Sequence, residues 1–219
     1  MAVLRSTAEK WKEVTGCFLA EGWGLTEASP LLTWNPLDGT GKAGSIGFPL
    51  ASTDLRIVDN DGLPVKTGEI GEIQAAGPQI MKGYFNRPKA TKEAIVNGWL
   101  NTGDIGYMDK HGFFYITDRK KDMIIISGFN VYPNEIEDYL AYHPKIKELA
   151  VIGIPDAKSG EAVKAFVVKR DESLTEEEVI AYCRKGLVGY KVPRIVVFID
   201  EVPKSTVGKL LRRELRDRE

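Results

Sequence analysis

Cysteine and histidine are scarce in this chain, two of each among 219 residues. Cys17 and Cys183 form no disulfide framework and show no metal-ligand spacing, and both fall in segments that read as ordinary core or helix. A reducing, cytosolic setting is the expectation. Charge of one sign is lacking as well: 30 Lys and Arg stand against 31 Asp and Glu, so no global field draws the chain to nucleic acid or to an anionic membrane. Recognition must therefore be local. No apolar run approaches the roughly 20 residues that cross a bilayer, and the opening "MAVLRSTAEKWKEVTG" reads as an amphipathic helix rather than a signal peptide. Peripheral membrane contact stays open. Internal repeats and low-complexity tracts are missing too.

What is present suggests one or two domains with enough apolar sequence for a sizeable core. Val3, Leu4, Ala8, Trp11 and Val14 recur at helical spacing and predict one buried face over residues 2–15. "CFLAEGWGLTEASP" follows, read as a short apolar strand entering a Gly-rich loop. From about Gly44 to Thr117, brief alternating runs are punctuated by Asp61-Gly62, Lys66-Thr67-Gly68 and Lys110-His111-Gly112, which predicts a mostly β region, a barrel or distorted sheet. After Asp118 the pattern changes. "MIIIS" reads as a strand, Gly128 to Tyr132 as a turn, and "PNEIEDYLAYH" as a helix with Pro133 at its first position. "ELAVIGIP", "AVKAFVVK" and "RIVVFI" read as strands, and "TEEEVIAYCRKGL" as a helix capped by Thr175 with Glu178 at the capping-box position. The boundary is placed in "TDRKKD", at Asp118.

Four constellations carry chemistry. In "GWGLTE", Trp23 sits between glycines that would let a flat ligand approach, Thr26 offers a hydroxyl and Glu27 a hard oxygen donor; the plainer reading is a turn with a buried Trp. In "LNTGDIG", Asp104 after Gly103 could present a carboxylate to two adjacent hydroxyls, or be an Asp in a tight turn. Arg119 could hold a sugar or phosphate, or be a solvated linker charge. Gly128 in "SGFNVYP" permits close approach, and an ordinary hairpin turn would use it equally well.

"PKSTVGKLLRRELRD" superficially suggests a phosphate-binding loop. That motif needs a glycine five residues before its Gly-Lys pair and a hydroxyl after it, and here Pro203 and Leu210 stand there. A Walker site is excluded, and Lys209 needs another explanation or none.

Taken in order, these segments resemble the C-terminal portion of the adenylate-forming enzymes, the group containing acyl-CoA synthetases, luciferases and the adenylation domains of peptide synthetases. "GWGLTE" looks like the aromatic-Gly-x-Thr-Glu motif, "GEIQAAGPQIMKGYFNRP" the Gly-Glu barrel motif, and "TGD" the ribose motif. "DRKKDMIIISGFNVYPNEIE" resembles the hinge and following loop, "LVGYKVP" the Tyr-x-x-Pro motif and "PKSTVGK" the terminal lysine motif. Within the family the tail is most similar to bacterial long-chain fatty acid CoA ligases.

The resemblance implies an α+β fold: a β-rich, barrel-like remnant of a large domain over 1–117, then a small mobile α+β domain over 118–219, with its hinge near Asp118. It implies ATP/AMP, Mg²⁺ and coenzyme A as ligands and a fatty acid as substrate, with oligomerisation left open. Trp23 and Gly24 would face adenine, although Tyr is more often seen at the aromatic position. Thr26 would bond the AMP phosphate, Glu27 would hold Mg²⁺, and Asp104 with Arg119 would hold the ribose. Gly128 would line the pantetheine tunnel, and Lys209 would be the catalytic cation of adenylation. The family's Ser/Thr/Gly-rich phosphate loop does not occur in these residues, so the expectation is a fragment, inactive alone. A stand-alone nucleotide- or CoA-binding module and a ligase for an aryl or medium-chain acid are the alternatives.

Overall fold

In the computed structural model, which describes residues 3, 5–206 and 208–217, the chain divides into two units, Ala2–Lys120 and Lys121–Glu219. The division falls two residues beyond Asp118, because the ladder between Asp104–Ile105 and Asp118–Arg119 keeps those residues in the first unit's sheet.

The first unit opens with helix α1 (Arg5–Thr15). The face expected to be buried is not: Trp11 is 48% and Val14 71% exposed, and Leu4 lies outside the described residues. Strands β1 (Gly22–Gly24), β2 (Leu31–Trp34) and β3 (Phe48–Pro49) form a small antiparallel sheet. The expected strand at "CFLA" is corrected by this arrangement. Pairing begins at Gly22, opposite Trp34, and Cys17 is exposed rather than in a core.

The second sheet contains β4 (Asp54–Val58) and β5 (Gly71–Ala76). A short helix α2 (Pro88–Ala94), started by Pro88 at its first turn and absent from the sequence reading, leads to β6 (Ile95–Val96), β7 (Trp99–Met108) and β8 (Phe114–Arg119). Its order is β4-β5-β7-β6, with β8 also on β7. Phe114 joins the two sheets by exchanging backbone hydrogen bonds with the Ile46–Gly47 segment. Trp23, Leu32, Ile46, Ile73 and Phe114 share the core beneath.

The second unit begins with β9 (Ile124–Ile126) and β10 (Phe129–Val131), a hairpin turned by Ser127 and Gly128 at φ 50° and 85°. Positive φ at both central residues suits the right-handed twist of a two-residue hairpin loop. The expected turn over Gly128 to Tyr132 therefore shrinks to two residues, and Phe129–Val131 is strand. Helix α3 (Pro133–Leu140) carries Pro133 in its first turn as anticipated. Strands β11 (Ile146–Asp156) and β12 (Gly160–Lys169) form the long central hairpin. Helix α4 (Glu176–Gly186) starts where Thr175 Oγ1 accepts the Glu178 N–H at 3.2 Å. Strand β13 (Ile195–Phe198) lies parallel to β12, and α5 (Arg212–Arg216) closes the chain.

Strand alternation decides which side each residue serves. Val151, Val163, Ala165 and Val167 pack with residues of α3 and α4 in one cluster. Ala150, Ile152, Phe166 and Val168 meet Val202 and Leu215 in another. The sheet is thus covered on both faces, as the mixed helix and strand signals require.

Candidate functional site

Trp23 is buried, at 8% exposure, and stands opposite Thr33 on β2. Its flanking glycines are required from within. A Cβ on Gly24 would come 1.9 Å from the Pro30 carbonyl oxygen, and one on Gly22 would come 2.7 Å from the Trp34 ring. Access for a flat ligand is therefore not needed to explain them. The ring is seated in the core cluster, with a polar edge that is used. Its Nε1–H donates to Asp104 Oδ2 at 2.8 Å.

Asp104 is not at a strand end or in a tight turn. It lies within β7, where three residues, Thr102 to Asp104, stand opposite the single Ile73 of β5. Gly103 takes φ 71° in this bulge, a conformation that suits glycine, and bulges of this kind re-aim neighbouring side chains. The Asp104 carboxylate is buried at 7% exposure. Across the ladder from it is Arg119, whose Nε approaches Oδ1 at 3.3 Å. A second carboxylate braces the bulge: Glu72 accepts from the Gly103 N–H at 3.1 Å and from Lys120 Nζ at 2.8 Å. Asp118 is buried, and its Oδ1 accepts the Arg119 N–H at 2.7 Å.

Thr26 and Glu27 open a single 3₁₀ turn that follows β1. Thr26 is exposed and Glu27 half-buried. Glu27 is gripped by two residues of the Gly-Glu segment, Met81 and Tyr84, that its sequence did not mark for the site. The Met81 N–H donates to its carbonyl at 2.7 Å, and the Tyr84 hydroxyl donates to its Oε1 at 2.8 Å. That hydrogen bond, reinforced by burial and by the carboxylate charge, raises the Tyr84 phenol above its usual pKa. Tyr84 falls within the "GEIQAAGPQIMKGYFNRP" segment, yet at 57 residues from Glu27 no local spacing could pair them.

The remaining two expected residues lie in the second unit. Gly128 turns the β9–β10 hairpin, with open space where a side chain would stand. Beside it, Ser127, Ser159, Glu161, Arg184, Tyr190 and Arg194 line a cleft of about 410 Å³. Phe129 stacks on Tyr190 with centroids 4.8 Å apart. Lys209 is exposed at the end of a closed loop. Ser205 N–H donates to the Lys209 carbonyl at 2.8 Å, the Lys209 N–H donates to Ser205 Oγ at 3.1 Å, and Lys204 bridges Leu210. Val207 of that motif lies outside the described residues.

Chemically, the first unit offers a fixed carboxylate between an N–H donor and a guanidinium, and near Trp23 in sequence a hydroxyl and a second carboxylate. Such a set suits a polyol and an anion with its counter-cation. Among the described residues, no group of three or more His, Cys, Asp or Glu could hold a metal by itself, and no helix is long and apolar enough to cross a membrane.

A family model for AMP-binding enzymes matches residues 1–85, and one for the AMP-binding enzyme C-terminal domain matches residues 135–209. The long-chain-fatty-acid–CoA ligase of Yersinia pestis is 59% identical over 219 residues, which is 100% of this chain and 39% of that protein. The chain thus spans about 39% of the length of such relatives. The crystal structure of ATP-bound MatB from Rhodopseudomonas palustris superposes with a TM-score of 0.94 at 36% identity, covering 99% of this chain and 44% of that one. The o-succinylbenzoate CoA synthetase MenE of Bacillus subtilis, in complex with its acyl-adenylate intermediate, gives 0.88 at 36% identity, covering 99% and 44%.

Proposed function

Because this chain belongs to the AMP-binding enzymes, we propose that its residues are the nucleotide-holding and lysine-bearing part of a long-chain fatty acid CoA ligase. The observation that carries the reading is the buried Asp104 carboxylate held between Trp23 Nε1 and Arg119 Nε, inside a chain 59% identical to a ligase of that name.

The reaction has two displacements. A fatty carboxylate attacks the α-phosphorus of ATP and expels pyrophosphate; the CoA thiol then attacks the acyl carbon, loses its proton and expels AMP. The first step brings two anions together, so positive charge is needed where negative charge accumulates. We assign that charge to Lys209, whose long stem carries a compact ammonium, and place the hinge that serves it near Asp118. Asp104 and Arg119 hold the ribose, Trp23 and Gly24 the adenine end, and Thr26 the phosphate.

Magnesium fits Glu27. The ion is usually held by one or two carboxylates plus substrate phosphates rather than by an all-protein cage, and Tyr84 engages Oε1 of Glu27, leaving Oε2 to face a cation directly or through water. When bound, magnesium would neutralise phosphate charge. Coenzyme A is assigned to the second unit, along the Gly128 hairpin and the adjoining cleft.

The test is to join the 219 residues to the upstream region of the Yersinia pestis ligase and assay AMP release and thioester formation with palmitate, ATP and CoA. We expect both products from the fusion and neither from the 219 residues alone. A correctly folded fusion that releases no AMP overturns the assignment.

A further inference from the structure

Resting on the reading that AMP binds here, we infer that Trp23 is a positioning residue that presets Asp104 for a vicinal diol. An ionised carboxylate has about four lone-pair sites, two on each oxygen. In this structure one site on Oδ2 is taken by Trp23 Nε1 at 2.8 Å, and one on Oδ1 faces Arg119 Nε at 3.3 Å. Each oxygen keeps one acceptor position. Two adjacent hydroxyls, each with one proton to donate, match that remainder.

The two restraints come from different places. Arg119 reaches Asp104 along the β7–β8 ladder, whereas Trp23 comes from the other sheet, 81 residues away in sequence. Arg119 is half exposed and Trp23 is buried, so the indole is the restraint that solvent does not loosen. Fixing both oxygens sets the plane of the carboxylate as well as its position. An indole N–H donates and never accepts, so it cannot serve as an alternative partner for a hydroxyl proton. The chemistry selected is therefore a cis-diol that donates twice, as a ribose does and a deoxyribose does not.

The experiment measures calorimetric binding of AMP and of 2′,3′-dideoxy-AMP to the 219-residue chain and to Trp23→Phe, which keeps an aromatic ring but has no N–H. We expect the substitution to weaken AMP about tenfold more than dideoxy-AMP, the worth of one hydrogen bond to a charged group, since any change in the ring's contact with adenine falls on both nucleotides alike. A second variant carrying benzothienylalanine at position 23 keeps the bicyclic shape and replaces the N–H by sulfur; it should give the same selective loss, and it carries the comparison if Trp23→Phe does not fold. Equal weakening of both nucleotides, or none of either, overturns the positioning role while the AMP reading stands. Failure of the parent chain to bind AMP overturns both.

Discussion

Arg212 Nη2 donates to both carboxylate oxygens of Glu137, at 2.9 and 2.8 Å, inside the second unit. Its Nε also bonds the Val151 carbonyl, and the Val151 N–H returns to Glu137 Oε1 at 2.8 Å. The guanidinium thus ties α5 to α3 and β11 in one buried polar network. Asp122, at the start of the unit, joins directly, its Oδ2 3.7 Å from Arg212 Nη1, and also pairs with Arg216 at 2.8 Å. This anchor lies three residues beyond Lys209, so the loop bearing the lysine springs from a fixed point.

Breaking a buried pair by removing one partner leaves the other charge uncompensated, at a cost of about 3–5 kcal/mol. Arg212→Ala should therefore lower the denaturation midpoint of the second unit strongly. Arg212→Lys should recover only part of it, since an ammonium cannot reproduce the fork. Chemical denaturation followed by far-UV circular dichroism measures both. A Lys variant as stable as the parent would contradict the role of the planar fork.

Lys209→Ala, in the fusion with the upstream region, should slow adenylate formation by about 10²–10³-fold, the range seen when one preorganised charge-stabilising donor is lost. Thioester formation from preformed acyl-adenylate should change far less. Single-turnover assays of each half-reaction separate the two. Equal losses in both would remove Lys209 from the first displacement.

Tyr84 is expected to ionise at higher pH than a free tyrosine because its hydroxyl donates to Glu27, with burial adding to the effect. The folded state therefore holds this proton more tightly. The contribution is fully present below the unfolded phenol pKa and disappears as pH rises through the folded one. Ultraviolet titration of the phenols in the parent and in Glu27→Gln should show one tyrosine shifting to lower pH in the variant. Superimposable titration curves would disprove the pairing.

Asp109 is held at about 2: burial pushes its carboxyl up, but the Lys42 ammonium and the N–H groups of His111 and Phe113 outweigh it. A depressed carboxylate adds stability above its unfolded pKa, about 3.9, and that stability is lost as pH falls through about 2. Removing the ammonium with Lys42→Met should move the acid limb of the first unit to higher pH. Acid titration of tryptophan fluorescence monitors it, and an unchanged limb would count against the pair.

The two thiols should differ in reactivity. Cys183 is buried on α4, and burial pushes its pKa up to about 12, which suppresses the thiolate that reacts. Cys17 is exposed. A disulfide reagent should titrate one thiol per native chain within minutes and the second only after denaturation. Rapid reaction of both would show that α4 opens readily.

Much of the second unit was legible because its signals are local. Pro133 starts a helix, Thr175 caps one, and the apolar runs of β11 and β12 announce strands buried on both faces. Asp104 illustrates the opposite. Thr-Gly-Asp reads as a turn, and nothing nearby reveals that the segment is a bulge within a ten-residue strand. The exposure of Trp11 and Val14 was equally hidden, since periodicity shows that a face is apolar but not what covers it.

The amino-acid order by itself determined helices α1, α3 and α4, strands β9, β11, β12 and β13, and the ordered motifs that mark the family, because propensity, capping and motif spacing act over a few residues. Only the tertiary structure decided which side chains share a site. Trp23 meets Asp104 across 81 residues, Arg212 meets Glu137 across 75, and Tyr84 meets Glu27 across 57. Contacts at such separations depend on how sheets and tails come together, and short-range patterns do not encode that.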